Sequence, residues 1–156
     1  MNNSAYHSVV LDQAVREVWD TVRDFNSYPI WVNGVEDSHI EDDLSGTAVG
    51  SVRNFAMGGA RTRQQLVAHS DADRFFSYES CAPLNVGDES GVTRTLLQYQ
   101  GTLQLTPVVE GDRCFAEWSS KYGCPPEDDA YWADWWAKSL PTWLTSLRNH
   151  LNGQQA

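Results

Sequence analysis

Few side chains in this sequence have the types and spacing that catalytic chemistry requires. The histidines lie at positions 7, 39, 69 and 150, and no two of them have the spacing of metal ligands. Ser119 and Ser120 have no evident base beside them, and the chain contains no nucleophile elbow and no phosphate-binding loop. The sequence therefore predicts no metal and no cofactor, and it identifies no catalytic residue.

The groups that remain are polar side chains able to act inside an apolar pocket. Those able to serve as acid, base or hydrogen-bonding group are Arg53, Arg61, Arg63, Gln65, Tyr78, Tyr99 and Ser120. The seven Trp and six Tyr residues add polar tips that need partners when they are buried. This excess favours a lined cavity, although any one aromatic is more simply explained as core. For the arginines, a solvated surface position or a structural role is the alternative.

The charge balance limits the partners. The chain holds 21 acidic and 11 basic residues, a net charge of −10. A surface that binds phosphate groups needs the opposite sign, so we expect neither nucleic acid nor an anionic membrane as a partner. Cys81, Cys114 and Cys124 are odd in number and follow no metal spacing, which predicts free thiols instead of a disulfide framework.

Length and hydropathy set further bounds. No apolar run is long enough to span a bilayer, and the amino end lacks the basic and apolar segments of a signal peptide. We therefore expect a cytoplasmic protein without a membrane span. The 156 residues suit a single domain, residues 1–156. The sequence leaves the oligomeric state open.

The element that must position these groups is the last one, from Glu127 to Leu151. Apolar residues recur on one helical face, at positions 132, 135, 136, 140, 143, 144, 147 and 151. Acidic residues at the start, and Arg148 and His150 near the end, suit the helix dipole. Pro141 predicts a bend in one continuous helix, and two helices with a break are the alternative.

The rest of the chain predicts a sheet to cover this helix. A first strand over residues 5–11 precedes two short helical segments at about 13–22 and 25–31. Period-two alternation then indicates strands at about 35–41, 50–57, 61–70, 74–80, 93–106 and 112–122, with a loop from Pro83 to Gly91. This order predicts an α+β fold in which a curved, seven-stranded antiparallel sheet grips the long helix and leaves a ligand cavity between them.

Alternation along the strands selects the side chains that face the helix. It places Trp118, Ser120 and Tyr122 inward on the last strand, and Leu97 and Tyr99 inward on the strand before it. With positions on the other strands and on the helix, the predicted ligand-binding residues are Trp31, Phe55, Gln64, Phe76, Tyr78, Ser80, Leu97, Tyr99, Trp118, Ser120, Tyr122, Trp132, Trp136 and Leu140.

Several short segments resemble the START-like (SRPBCC) superfamily. The opening of that superfamily is similar to Val15-Arg-Glu-Val-Trp19, then Asp24-Phe25, Trp31 and Gly34-Val35. Its later parts are similar to Gly50-Ser-Val-Arg53, Tyr99-Gln-Gly-Thr-Leu103 and Glu117-Trp118-Ser119. These matches lie in the same order over nearly the whole chain. The similarity is nearest to the polyketide cyclase/dehydrase and lipid-transport-like subgroup, which is related to the plant abscisic-acid receptors.

The resemblance implies a helix-grip fold with a cavity for a hydrophobic or aromatic small molecule, and it places Tyr78, Tyr99 and Trp118 at ligand-lining positions. It implies either a binding protein or a polyketide cyclase, dehydratase or aromatase that works without a metal or covalent cofactor. A partner-binding regulator is a third possibility. Residues 56–60 and 81–91 correspond to the gate and latch loops of the receptors, with plain turns as the alternative.

One departure from the family bears on the ligand. The buried lysine that the receptors carry in the second strand has no counterpart here, because residues 35–41 contain acids and His39 instead. A carboxylate ligand then lacks its usual anchor. The departure favours a neutral or phenolic aromatic ligand.

Overall fold

A computed structural model describes residues 1–153, and residues 154–156 of the predicted domain lie outside the described part. The strands are β1 (Asn3–Leu11), β2 (Val35–Ile40), β3 (Val52–Met57), β4 (Ala60–Ser70), β5 (Phe75–Ser80), β6 (Leu84–Gly87), β7 (Thr93–Leu96), β8 (Gln98–Val108) and β9 (Arg113–Gly123). The helices are α1 (Val15–Val22), α2 (Tyr28–Trp31) and α3 (Asp129–Leu151).

The predicted α+β helix-grip fold is confirmed. Seven strands form one sheet in the order β1-β9-β8-β5-β4-β3-β2, and every neighbouring pair is antiparallel. Most of these strands follow one another in the chain, because short turns suffice to join antiparallel neighbours. The strands β6 and β7 form a separate two-stranded sheet, called here the β6–β7 hairpin.

The long helix α3 is continuous through Pro141, as predicted. It begins at Asp129, slightly later than expected, because Pro126–Asp128 form a short 3-10 turn before it. One face of the helix is buried, and the apolar side chains on this face are Trp132, Trp136, Leu140, Leu144 and Leu147. Ring contacts of Trp136 with Tyr99 and Tyr122 hold this face against the concave side of the sheet. No helix within residues 1–153 has the length and apolar character to cross a membrane.

The prediction was wrong at the hairpin. The expected strand 93–106 is two strands that break at Leu97, and the expected loop Pro83–Gly91 contains β6, which pairs with β7. Leu97 is 49% exposed, whereas Leu96 is fully buried. The strand β8 starts again at Gln98 opposite Gly123, and Leu97 between the two strands still donates its N–H to the Gly123 carbonyl at 2.8 Å. Because both Leu96 and Tyr99 are buried, the inward-outward alternation changes by one residue between β7 and β8. The inward position predicted for Leu97 is therefore taken by Leu96.

Candidate functional site

A cavity of about 520 Å³ lies between the sheet and α3. The sheet lines it with Phe55, Thr62, Gln64, Tyr78, Tyr99 and Trp118. The helical side contributes Tyr28, Val32, Trp135, Trp136 and Trp143. The turn between β3 and β4 and the β6–β7 hairpin contribute Met57, Gly58, Ala60, Leu84, Asn85, Val86, Gly87 and Leu96. None of these side chains carries a formal charge.

The structure brings together some of the predicted site residues at this cavity. Those that line it are Phe55, Gln64, Tyr78, Tyr99, Trp118 and Trp136. Those that do not are Trp31, Phe76, Ser80, Leu97, Ser120, Tyr122, Trp132 and Leu140. Alternation reports which face of a strand a side chain occupies, but not whether the opposing helix touches it at that height. Where sheet and helix meet, the inward side chains are ordinary core.

Apart from Leu97, which is about half exposed, the predicted residues that do not line the cavity support its surroundings. Trp31 packs on Trp118 and donates its Nε1–H to Ser27. The hydroxyl oxygen of Ser80 accepts the backbone N–H of Tyr99 at 3.0 Å. The ring of Tyr122 lies against Trp136 with a centroid separation of 5.6 Å. The remaining side chains, Phe76, Ser120, Trp132 and Leu140, are buried in the core.

Sequence reasoning missed Tyr28, Trp135 and Trp143 as lining residues, and it predicted the β6 segment of the β6–β7 hairpin as a loop. The two tryptophans belong to the apolar stripe of α3, so that stripe was a usable signal. They are only half-buried, because the cavity lies beside them. Tyr28 stands in a four-residue helix beside Pro29, where no periodic pattern can develop. Tyr28 lines the cavity, and its hydroxyl oxygen accepts a hydrogen bond from a residue of β3.

That residue is Arg53, which is 1% exposed and lies immediately behind the cavity wall. Its Nε and Nη2 atoms donate to Gln64 Oε1 at 2.8 and 2.6 Å, and Nη2 also donates to the Tyr28 hydroxyl at 2.6 Å. The guanidinium carbon lies 3.5 Å from the ring centroid of Tyr28 and 3.9 Å from that of Phe25. Ring faces and neutral oxygens thus surround this charge.

Two further hydrogen bonds extend the polar network across the sheet. Gln64 Nε2 donates to the Tyr99 hydroxyl at 2.8 Å, and Trp118 Nε1 donates to the Tyr78 hydroxyl at 3.0 Å. Each phenol oxygen that lines the cavity therefore already accepts a hydrogen bond from the wall. Arg61 and Arg63 play no part, since they pair on the outer face with Asp37 and Glu41.

Burial sets the protonation states of these groups. It raises the pKa of Tyr99 to about 12, and it raises that of Tyr78 well above its ordinary value. Burial also raises the pKa of Tyr28, although the neighbouring Arg53 opposes the shift. Burial lowers the pKa of Arg53, but a guanidinium starts so high that it stays charged. At neutral pH the site therefore holds three neutral phenols and one cation.

The β6–β7 hairpin is fastened to the start of α3 by one arginine. Arg94 binds Asp88 within the hairpin at 3.0 Å and Asp128 at 3.2 Å. Asp128 also accepts the backbone N–H of Thr95, whose carbonyl accepts the Nε1–H of Trp132. We call these contacts the Arg94 tether. It fixes β7, while the adjoining strand β6 supplies cavity-lining residues.

The site offers an apolar enclosure with hydrogen-bond donors along one wall. Within residues 1–153, no three His, Cys, Asp or Glu side chains come together as metal ligands do. Cys81 is exposed, and desolvation raises the pKa of the buried Cys114 and of the partly buried Cys124 to about 11, so neither of these two thiols is an activated nucleophile. The chemistry that the arrangement supports is binding, orientation and hydrogen bonding.

The comparisons with known proteins agree with this fold. The family described as "Polyketide cyclase / dehydrase and lipid transport" matches residues 3–152. A Nitrosospira multiformis protein of known structure is 23% identical, with a TM-score of 0.75 and 94% of each chain covered. No curated protein matches the chain.

Two structures with described activities share the fold at lower identity. The di-domain ARO/CYC BexL from the BE-7585A biosynthetic pathway is 13% identical with a TM-score of 0.75, over 96% of this chain and 46% of that one. Norcoclaurine synthase from Thalictrum flavum, in complex with dopamine and hydroxybenzaldehyde, is 12% identical with a TM-score of 0.69, over 99% and 88%. At these identities the likeness establishes the fold alone.

Proposed function

Because the chain belongs to the polyketide cyclase/dehydrase and lipid transport family, we propose that it binds a hydrophobic or aromatic small molecule in the cavity between the sheet and α3. The observation that carries this proposal is the cavity itself. Its volume of about 520 Å³ is typical of small-molecule sites, and its wall is mostly aromatic and without formal charge. Aromatic rings such as Trp135, Trp136 and Trp143 offer flat apolar surfaces that suit a planar ligand.

Entry to the cavity is part of the proposal. The turn at Gly58 and the hairpin segment Leu84–Gly87 both contribute to the lining, and both fall in the loops predicted as gate and latch. Gly58 and Gly59 have positive φ angles of 60° and 79°, a conformation in which glycine is favoured. We propose that a ligand enters between these two segments.

A second candidate is a cyclase, dehydratase or aromatase acting on a polyketide in the same cavity. The observation that favours it is the row of donors formed by Tyr28, Gln64 and Tyr99 in front of Arg53. An enclosure that holds a flexible poly-ketone in a productive fold accelerates its cyclisation through proximity. A phenol close to a carbonyl can then polarise it.

The first experiment is native mass spectrometry of the purified protein, with gentle activation to release any bound compound. A co-purified apolar compound supports the proposal and reports its chemical class. An empty protein is then titrated by calorimetry with polyaromatic and polyketide-like compounds. If none of them binds, the proposed function is wrong. If the protein converts a bound poly-ketone to a cyclised product and heat-denatured protein does not, the protein is an enzyme and not only a binding protein.

The matched variants for this titration are Trp136→Ala and Lys138→Ala. The ring of Trp136 lines the cavity, whereas Lys138 lies on the exposed face of the same helix and pairs with Asp134. Loss of a packed aromatic anchor weakens binding by about tenfold or more, and loss of an exposed lysine leaves it within about twofold. Equal effects of the two substitutions would place the ligand elsewhere.

A further inference from the structure

We propose that the cavity recognises its ligand through an oxygen atom and binds a weakly acidic phenol or enol in its ionised form. The inference rests on the proposed function, because it concerns the ligand of the same cavity. Three observations carry it: a buried cation without a carboxylate, phenol oxygens that already accept hydrogen bonds from the wall, and a cavity surface that offers donors and no carboxylate.

The first observation is that Arg53 lacks a counter-charge. No carboxylate among residues 1–153 forms an ion pair with it, and the groups that act on its charge are the phenols of Tyr28, Tyr78 and Tyr99. Burying a charge is costly unless an opposite charge or several hydrogen bonds compensate for it. Ring faces and neutral oxygens compensate in part. An anion in the adjacent cavity would complete the compensation.

The second observation is the direction of the hydrogen bonds. A guanidinium can only donate, so the atom of Gln64 that faces Arg53 is its carbonyl oxygen, and its amide NH₂ faces Tyr99. The Tyr99 oxygen therefore accepts from Gln64, and its own proton is left to donate elsewhere. The Tyr28 oxygen accepts from Arg53 in the same way, and the Tyr28 hydroxyl also forms a hydrogen bond with Tyr78. Both tyrosines line the cavity, and both hydroxyl groups keep their protons because burial raises their pKa.

The third observation concerns what the cavity offers to a bound molecule. The donors that the wall offers belong to Tyr28 and Tyr99, since the unpartnered Nε1–H of Trp136 is itself buried. The carbonyl oxygen of Asn85 already accepts the hydroxyl of Thr95. No Asp or Glu lines the cavity. A ligand oxygen therefore finds donors, whereas an ammonium group finds no carboxylate to balance it.

These features oppose the usual effect of an apolar cavity, which is to raise the pKa of a bound acid. Desolvation alone disfavours the charged form and raises the pKa of a bound phenol. A nearby cation and hydrogen-bond donors stabilise the anion and lower that pKa. The wall contains both, and Arg53 acts across Tyr28 and Gln64, which separate it from the ligand. The proton that the ligand loses leaves for the solvent, because Arg53 and both phenols already hold theirs.

Arg53 also bears on the departure from the family in the second strand. The missing lysine in the second strand favoured a neutral or phenolic ligand on the ground that no cation faces the cavity. The structure supplies a cation from β3 instead, behind neutral groups that shield it from water. A phenolic ligand still fits, but we expect it to bind as the phenolate.

The test is an absorbance titration with a nitronaphthol, whose phenol and phenolate forms absorb at different wavelengths. The expected result is an apparent pKa for the bound compound at least one unit below that of the free compound. By linkage, the phenolate then binds at least tenfold more tightly than the phenol. Naphthol should also bind more tightly than naphthylamine, which has the same shape but carries an amino group.

The informative variants are Tyr28→Phe and Tyr99→Phe, which keep the ring and remove only the hydroxyl. Each should reduce the pKa shift while leaving the binding of an unsubstituted aromatic hydrocarbon within about twofold, since the apolar area is unchanged. Tyr6→Phe is the matched control, because that hydroxyl is exposed and binds Glu117 on the outer face. Arg53→Gln should abolish the shift if the variant folds, and the tyrosine variants test the proposal whether or not it does.

The outcomes are distinguishable. A bound nitronaphthol whose pKa rises would overturn the inference and leave the proposed function standing. Equal affinity for naphthol and naphthylamine would also overturn it. Failure of every aromatic compound to bind would remove the proposed function and the inference together. A lowered pKa that disappears in both phenylalanine variants supports the inference.

Discussion

Gly101 in β8 lies directly beneath the phenol ring of Tyr78 in β5. The two residues are paired across the ladder, and a Cβ atom at position 101 would overlap the ring more closely than real Cβ atoms approach other atoms. The missing side chain lets the ring lie against the sheet, where its hydroxyl accepts the indole N–H of Trp118. One glycine on the sheet thus helps to set the position of a cavity wall.

Gly101→Ala should therefore displace Tyr78 into the cavity. Over-packing of this kind costs about 1–3 kcal/mol of unfolding free energy, measurable by urea denaturation. Ligand affinity should fall together with stability. Gly123→Ala is the matched control, since its Cβ would meet its nearest neighbour at an ordinary 3.7 Å. Similar losses for both glycines would show that Gly101 has no special role.

Leu96 and Leu97 are adjacent leucines with opposite surroundings. Leu96 is buried and lines the cavity, whereas about half of Leu97 is exposed. Truncation of a buried leucine leaves a cavity, so Leu96→Ala should reduce the free energy of unfolding by about 2–5 kcal/mol. Leu97→Ala should change it by less than about 0.5 kcal/mol. The reverse order in thermal or urea unfolding would contradict the strand break at Leu97.

The Arg94 tether should control the mobility of the β6–β7 hairpin. Arg94→Gln removes the charge that joins Asp88 to Asp128, so hydrogen exchange over residues 84–96 should become faster. The rates of ligand association and dissociation should both rise if entry passes this hairpin. Arg16→Gln is the control, because Arg16 and Asp112 form an exposed pair at 3.8 Å. Unchanged exchange in Arg94→Gln would mean that the hydrogen bonds of Thr95 hold the hairpin by themselves.

We expect Asp71 to contribute to the loss of folding stability at acidic pH. Hydrogen bonds from Arg23 and from the indole of Trp19 lower the pKa of this carboxyl to about 2. A carboxyl whose pKa is lower in the folded than in the unfolded state stabilises fully above about pH 4, and its contribution is lost as the pH falls towards 2.

Asp71→Asn should therefore lower the melting temperature at pH 7, and the difference from the parent protein should shrink between pH 4 and pH 2. Thermal unfolding followed by the fluorescence of the tryptophans measures both effects. Asp112→Asn, which alters only an exposed and distant ion pair, should track the parent protein. A difference for Asp71→Asn that stays constant down to pH 2 would contradict the lowered pKa.

Much of the fold was predictable because it depends on local periodicity. A few consecutive residues are enough to determine each of three features: the apolar stripe of α3, the alternation in β9 and the turns between strands. The prediction was wrong at Leu97 because no local sequence pattern marks the residue at which one strand ends and the next begins. It was also incomplete at Tyr28, since a four-residue helix is too short to show a period.

The candidate site was less predictable, since its members meet only in three dimensions. Arg53 could be picked out as a polar residue, but its position behind the wall depends on Tyr28, Gln64 and Phe25 arriving from other elements. The Arg94 tether was equally hard to predict, because Arg94 pairs with a residue 34 positions away in the chain.

The sequence by itself determined the class of fold, the aromatic face of α3 and the absence of a local catalytic motif, because each follows from the types and spacing of neighbouring residues. Only the tertiary structure decided which inward side chains line a cavity and which merely pack. It also decided that the buried cation lies among neutral groups. The physical reason is that a cavity forms where a curved sheet and a helix fail to touch, and charge compensation depends on distances between residues far apart in the chain.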